Sequence, residues 1–137
     1  MEEASELHCL AGRGVRGDRF LDYQDHYRGQ ITFFADEVYW ALCRELKVTD
    51  KPPSVFRRNV ITSGVDLNSL IGVAFEVQGV QFLGVEECKP CYWMDRAFHP
   101  GAAAALKGRG GLRARILCDG VLQTHPASVR AVEAVLV

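Results

Sequence analysis

The stretch that decides the fold class runs from residue 73 to residue 85 and reads VAFEVQGVQFLGV. Residues 73–77 and 80–85 are rich in β-branched and aromatic side chains, and only Gln78-Gly79 separates them. Glycine at the second position of so short a connection favours a tight hairpin. The stretch therefore predicts two antiparallel strands.

Short strands and turn signals continue on both sides of this hairpin. We expect strands at residues 7–10, 30–34, 59–62, 113–118, 121–123 and 128–137, and helices at residues 36–47 and 102–107. Asp119-Gly120 lies between two of these strands and predicts a second hairpin. Many short strands with two or three helices favour a mainly β fold, a barrel or curled sheet, over a doubly wound α/β sheet.

Composition limits the class of protein. A length of 137 residues predicts one domain, and 16 basic against 17 acidic residues give a net charge of −1. This balance predicts no general affinity for nucleic acid or for an anionic membrane. Residues 1–6 contain three glutamates, unlike a signal peptide, and no apolar run is long enough to span a bilayer. Five cysteines without a secretory signal predict reduced thiols and a cytoplasmic location.

Basic residues are unevenly distributed along the chain. Residues 96–118 contain five Lys and Arg and no acid, and residues 51–65 contain three more without an acid. Such stretches are ordinarily solvated faces, but two of them in a neutral protein also suggest a local pocket for an anion. Arginine suits this role because its planar guanidinium binds oxyanions through two hydrogen bonds.

Residues 12–17 read GRGVRG and match the GxGxxG fingerprint of dinucleotide sites. That site requires a helix directly after the last glycine, whereas a polar and aromatic loop follows here. The nucleotide interpretation is therefore disfavoured, although the glycines and arginines of this loop could still contact an anion.

Cys88-Lys89-Pro90-Cys91 forms a CxxC motif with several interpretations. A zinc site needs a second pair of ligands, and the other Cys and His residues show no paired spacing. A thioredoxin-like dithiol needs a βαβ context, which the surrounding hairpins fit poorly. A single reactive thiol and a pair of structural cysteines remain open.

Taken in chain order, several segments resemble the MOSC domain family, which is named after the C-terminal part of molybdenum-cofactor sulfurases. They are residues 14–19, 29–34, 56–60, 64–67, 70–72, 87–91 and 110–117, so the resemblance covers about residues 7–123. The family usually has Arg-Glu-Asn where this chain has Arg57-Arg58-Asn59. The substitution adds positive charge at the second position.

The resemblance implies a barrel-like β fold and a function linked to the molybdenum cofactor, molybdopterin. It makes Cys91 the key sulfur residue, as a persulfide carrier or as a molybdenum ligand. We expect a pterin-phosphate or another small anion to bind among a set of loop residues. These residues are Gly17, Asp18, Arg19, Arg57, Asn59, Lys89, Gly110, Gly111 and Arg113.

Whether the chain is an enzyme stays open at this point. These 137 residues contain no aminotransferase-like segment, so we expect no pyridoxal phosphate chemistry from them alone and a persulfide supplied by a partner. A cysteine desulfurase or a molybdoenzyme is the candidate partner. Two alternative functions are a molybdenum-dependent oxidoreductase component and a thiol–disulfide protein that uses Cys88 and Cys91.

Overall fold

The computed structural model describes residues 6–18, 21–22, 27–90, 92–123 and 129–131. The strands are β1 (Glu6–Leu10), β2 (Gly14–Val15), β3 (Ile31–Ala35), β4 (Val60–Thr62), β5 (Ala74–Val77), β6 (Val80–Glu87), β7 (Leu112–Ile116), β8 (Gly120–Gln123) and β9 (Val129–Ala131). The helices are α1 (Asp36–Leu46), α2 (Trp93–Ala97) and α3 (Ala102–Ala105). Short 3₁₀ turns occupy Pro53–Phe56 and Leu67–Leu70.

A six-stranded mixed sheet in the order β4-β3-β7-β6-β5-β9 forms the main body of the fold. Its β5–β6 pair is the hairpin predicted from the sequence, with Val77 opposite Val80. Both turn residues, Gln78 and Gly79, have positive φ angles, 52° and 82°, as a tight hairpin turn requires. The mainly β, curled-sheet architecture is confirmed.

A second sheet has three strands in the order β2-β1-β8, and it corrects one prediction. The prediction of a hairpin at Asp119-Gly120 was wrong, because β7 pairs with β3 and β6 whereas β8 pairs with β1. The Asp119 carboxylate accepts a hydrogen bond of 2.7 Å from the backbone N–H of Ala11, just after β1. This long-range contact turns the Asp-Gly pair into a corner between the two sheets.

The six-stranded sheet has a core on both faces. Phe33 and Phe34 are adjacent in β3 and point to opposite sides. The Phe33 ring packs edge-on against Phe75 and Phe82, at centroid distances of 5.4 and 5.3 Å. The Phe34 ring packs against Phe56 at 5.0 Å, on the side that the helices cover.

Most predicted elements are present with ends shifted by one or two residues. Residues 18, 21–22 and 27–30, the described positions after the GxGxxG match, contain no helix. The predicted last strand, residues 128–137, is a strand at Val129–Ala131, and its other residues lie outside the described part. No helix among the described residues is long and apolar enough to cross a membrane.

Candidate anion site

Three chain segments meet at one end of the six-stranded sheet, where β6 ends and where β4 and β7 begin. The strand register brings them together, because Phe33 lies opposite both Val60 and Leu112, and Leu112 also lies opposite Glu87. The residues beside these strand ends, 57–59, 88–90 and 110–111, are here called the junction. They include members of both basic stretches and of the CxxC motif.

Two glycines allow the junction segments to pack backbone against backbone. A Cβ atom on Gly110 would lie 2.1 Å from the carbonyl oxygen of Cys88, and one on Gly111 would lie 2.4 Å from that of Phe33. Gly111 also has a φ of 112°, which favours glycine. The Cys88 N–H donates to the Gly111 carbonyl at 2.8 Å, so the chain bearing the CxxC motif rests directly on these glycines.

Arg58 is the cation at the centre of the junction. Its Nε donates to the Gly110 carbonyl at 3.2 Å and its Nη1 to the Phe56 carbonyl at 3.4 Å. The side chain is half-buried, and no carboxylate in the described part of the chain forms an ion pair with it. Its positive charge therefore remains available to an anion.

Arg58 is not among the residues that the sequence predicts for the site. The available signal was the replacement of the family's usual glutamate by arginine at this position. The structure places this arginine, rather than Arg57, against the Gly110-Gly111 backbone.

Arg57 points to a neighbouring position. It is exposed, its φ is 57°, and its guanidinium carbon lies 4.9 Å from the centre of the Trp93 ring. A non-glycine residue in this left-handed region is uncommon and mildly strained. Arg57 thus lies beside the first turn of α2, the helix that follows the CxxC motif. This position is on the same side of the domain as Gly110-Gly111.

Asn59, another residue of the predicted anion site, is anchored to β3 through its side-chain oxygen. Its side-chain oxygen accepts hydrogen bonds from the Thr32 N–H at 2.8 Å and the Thr32 hydroxyl at 3.0 Å. The Asn59 N–H donates back to that hydroxyl at 3.0 Å. Asn59 therefore joins β4 to β3, and its oxygen is already engaged.

Arg113 also has partners inside the protein. Its Nη1 donates to the Glu86 carboxylate at 3.1 Å and its Nη2 to the Tyr27 hydroxyl at 2.8 Å. The register shifts between Gly84 and Glu86, which leaves Val85 as a bulge in β6 just before this carboxylate. Since Glu86 offsets the charge of Arg113, this arginine is a weaker candidate for anion binding than Arg58.

The remaining predicted residues are divided between the two sheets and the undescribed positions. Lys89 is exposed on the junction segment that also carries Cys88. Gly17 and Asp18 follow β2, a strand of the three-stranded sheet, and the Asp18 N–H donates to the Val15 carbonyl at 3.0 Å. Arg19 and Cys91 lie outside the described residues.

Cys88 is a buried thiol with 4 % of its surface exposed. Burial raises its pKa, while Arg58 and Arg113 act in the opposite direction to a smaller extent. Cys88 is therefore held in the protonated, weakly nucleophilic form at neutral pH. In the described part of the chain, no cluster of three or more His, Cys, Asp or Glu side chains could hold a metal ion.

A model of the MOSC domain family matches residues 22–131. No curated protein matches the chain. Among solved structures, the YuaD protein from Bacillus subtilis is similar with a TM-score of 0.76 and 20 % identity, over 96 % of this chain and 88 % of that one. YiiM from Escherichia coli is similar with a TM-score of 0.72 and 19 % identity, over 98 % of this chain and 66 % of that one.

Proposed function

Because the chain belongs to the MOSC domain family, we propose that it binds an anionic group of the molybdenum cofactor at the junction and handles sulfur there. The group with the best fit is a phosphate, such as that of a pterin-phosphate. The family as a whole is associated with molybdenum-cofactor and sulfur chemistry, and the anion site and its residues are the finer part of the proposal.

The observation that carries the proposal is the state of Arg58. A half-buried guanidinium is stabilised by partners for its donors and by a counter-charge. Two backbone carbonyls accept from its Nε and Nη1, and no described carboxylate offsets its charge. A phosphate oxygen would supply the missing charge, and charge-assisted hydrogen bonds from arginine are the strong type in proteins.

The close packing at Gly110 and Gly111 supports the same assignment. Without side chains, these residues leave room for the Cys88 segment to lie against them. They also hold the Gly110 carbonyl in the position where it accepts a hydrogen bond from Arg58 Nε. Arg57, stacked on Trp93 and exposed, is a second cation at the edge of the junction.

Cys91 is the proposed sulfur residue, as a persulfide carrier or as a molybdenum ligand. The buried, protonated state of Cys88 supports this choice, since the thiolate is both the nucleophile and the metal ligand. The donor set of the junction fits the phosphate end of the cofactor, and a thiolate at Cys91 would fit its metal. When bound, the cofactor supplies a molybdenum that accepts soft sulfur ligands.

Mass spectrometry of protein purified without reductant tests the sulfur role. We expect a bound pterin, a molybdenum atom or an additional 32 Da of sulfur on Cys91. Cys91→Ser should abolish the bound molybdenum and the added sulfur, whereas Cys88→Ser should retain them. Equal losses in the two variants would favour a dithiol mechanism, because such exchange needs both an attacking and a resolving thiol.

Calorimetric titration with inorganic pyrophosphate tests the anion site independently. Arg58→Gln should weaken binding, and Arg109→Gln is the matched control because Arg109 is already paired with Glu45 at 2.9 Å. Unchanged affinity in Arg58→Gln would contradict the proposed site.

A further inference from the structure

Aromatic and cationic side chains line the outer face of α2, and of these the proposed anion site uses only the neighbouring Arg57. Tyr92 directly precedes α2 and is 88 % exposed. Arg96 is also exposed and lies four residues later, on the same side of the helix. Trp93 is half-buried under the guanidinium of Arg57. We call Arg57, Tyr92, Trp93 and Arg96 the α2 rim.

The α2 rim has an excess of positive charge. Asp95, the acid of this helix, is turned toward α3, where its carboxylate accepts from the Ala103 N–H at 2.9 Å. Neither Arg57 nor Arg96 forms an ion pair with a described side chain. The rim is therefore electrostatically complementary to a negatively charged surface.

The shape of the rim favours a macromolecule over a small ligand. Small-molecule sites are concave and enclose most of the ligand surface. A tyrosine that is 88 % exposed projects from the domain and encloses nothing by itself. Tyr, Trp and Arg are the residue types most enriched among the energetically dominant contacts of protein interfaces.

We propose that the α2 rim docks an acidic surface of a partner protein that exchanges sulfur with Cys91. This proposal rests on the sulfur-handling function proposed above. Tyr92 follows Cys91 directly in the chain, so a protein docked on the rim is brought to the sulfur residue.

The transfer step is a balanced exchange between two sulfur residues. The Cys91 thiolate attacks the terminal sulfur of a persulfide on the partner. A sulfur–sulfur bond forms at Cys91, the partner's own sulfur–sulfur bond breaks, and the partner leaves as a thiolate. The step needs no additional oxidant or reductant.

Exchange with charged model peptides tests the docking surface. Two peptides carry the same cysteine–thionitrobenzoate disulfide, one flanked by Asp and Glu and the other by Lys. Peptide mapping gives the rate at which each modifies Cys91 in the full chain. We expect the acidic peptide to react about tenfold faster at low salt, with the preference collapsing near 0.5 M NaCl, where charges are screened within about 4 Å.

A matched pair of double variants separates the rim from the rest of the surface. Tyr92→Ala with Arg96→Gln should lower the acidic-to-basic rate ratio at least threefold. Trp40→Ala with Arg44→Gln is the control, because Trp40 is 54 % exposed, Arg44 is exposed, and both lie on α1 at the same four-residue spacing. This control should leave the ratio unchanged.

The outcomes distinguish the docking proposal from the proposed function. Equal rates with the two peptides, or a ratio that survives in the rim variant, would overturn the docking surface. Iodoacetamide, which is uncharged, reports the intrinsic reactivity of Cys91. If Cys91 reacts no faster with iodoacetamide than the other cysteines do, the sulfur-handling function itself fails.

Discussion

Substitution of Gly110 by alanine perturbs the junction at its tightest point. The new Cβ would lie 2.1 Å from the Cys88 carbonyl oxygen, more than 1 Å inside an ordinary carbon–oxygen contact of about 3.3 Å. The atom that must yield is backbone, so a rotamer change cannot relieve the overlap. Overpacking of this kind costs about 2–3 kcal/mol, which for a domain of this size lowers Tm by about 8–12 °C.

Gly108 provides the matched control in the same loop. Its φ is 83°, but a Cβ there would meet no atom within 4 Å. Gly108→Ala should therefore lose only about 1 kcal/mol through backbone strain. Calorimetric Tm values and pyrophosphate titrations of both variants provide the test. If Gly110→Ala were as stable as Gly108→Ala and bound pyrophosphate as well as the wild type, close backbone packing would not organise the junction.

Three further predictions concern single side chains. Arg58→Gln should weaken pyrophosphate binding at least tenfold, the equivalent of about 1.4 kcal/mol for one charge-assisted contact, while Arg109→Gln retains wild-type affinity by calorimetry. Burial raises the pKa of Cys9 from 9.0 to about 11, so the unfolded state releases this proton at lower pH than the folded state. Urea-unfolding free energies should therefore fall by up to about 2–3 kcal/mol between pH 9 and 11, and Cys9→Ala should flatten that decline. Asn59→Leu leaves the Thr32 donors without their acceptor and should lose about 1–3 kcal/mol, whereas Asn59→Asp, which keeps an oxygen there, should retain most of the unfolding free energy in urea.

Local signals were enough to predict most of the elements. The β5–β6 hairpin depends on Gln78-Gly79, and both residues adopt the positive φ angles that such a turn needs. α1 begins at Asp36 and Glu37, where acids favour the positive end of a helix. The five-residue α2 is too short for a helical period to stand out in the sequence, and it was not predicted.

Long-range contacts decided what the sequence could not specify. The Asp119-Gly120 pair has the composition of a hairpin, but the hydrogen bond from Ala11 and the pairing of β8 with β1 place it at a corner. No local sequence pattern predicts the contact between Ala11 and Asp119, because the two residues are 108 positions apart in the chain.

The same limitation applies to the anion site. Arg57 and Arg58 are the same residue type, so the sequence does not indicate which of them contacts Gly110. In the structure Arg57 has a φ of 57°, and Arg58 is the one that donates to the Gly110 carbonyl. Arg113 resembled an anion ligand in the sequence. In the structure its partners are Glu86 and Tyr27, which come from distant parts of the chain.

The pairing of β1 with β8 has a consequence for the order in which the protein is made. Glu6 in β1 lies opposite Gln123 in β8. During synthesis β1 therefore cannot form its hydrogen bonds with β8 until the chain has been made as far as Gln123. Contacts this distant in sequence slow folding, because the connecting chain must lose its freedom before the contact stabilises anything. During that interval the edge of β1 that later pairs with β8 is unpaired, and an unpaired strand edge is a site of aggregation.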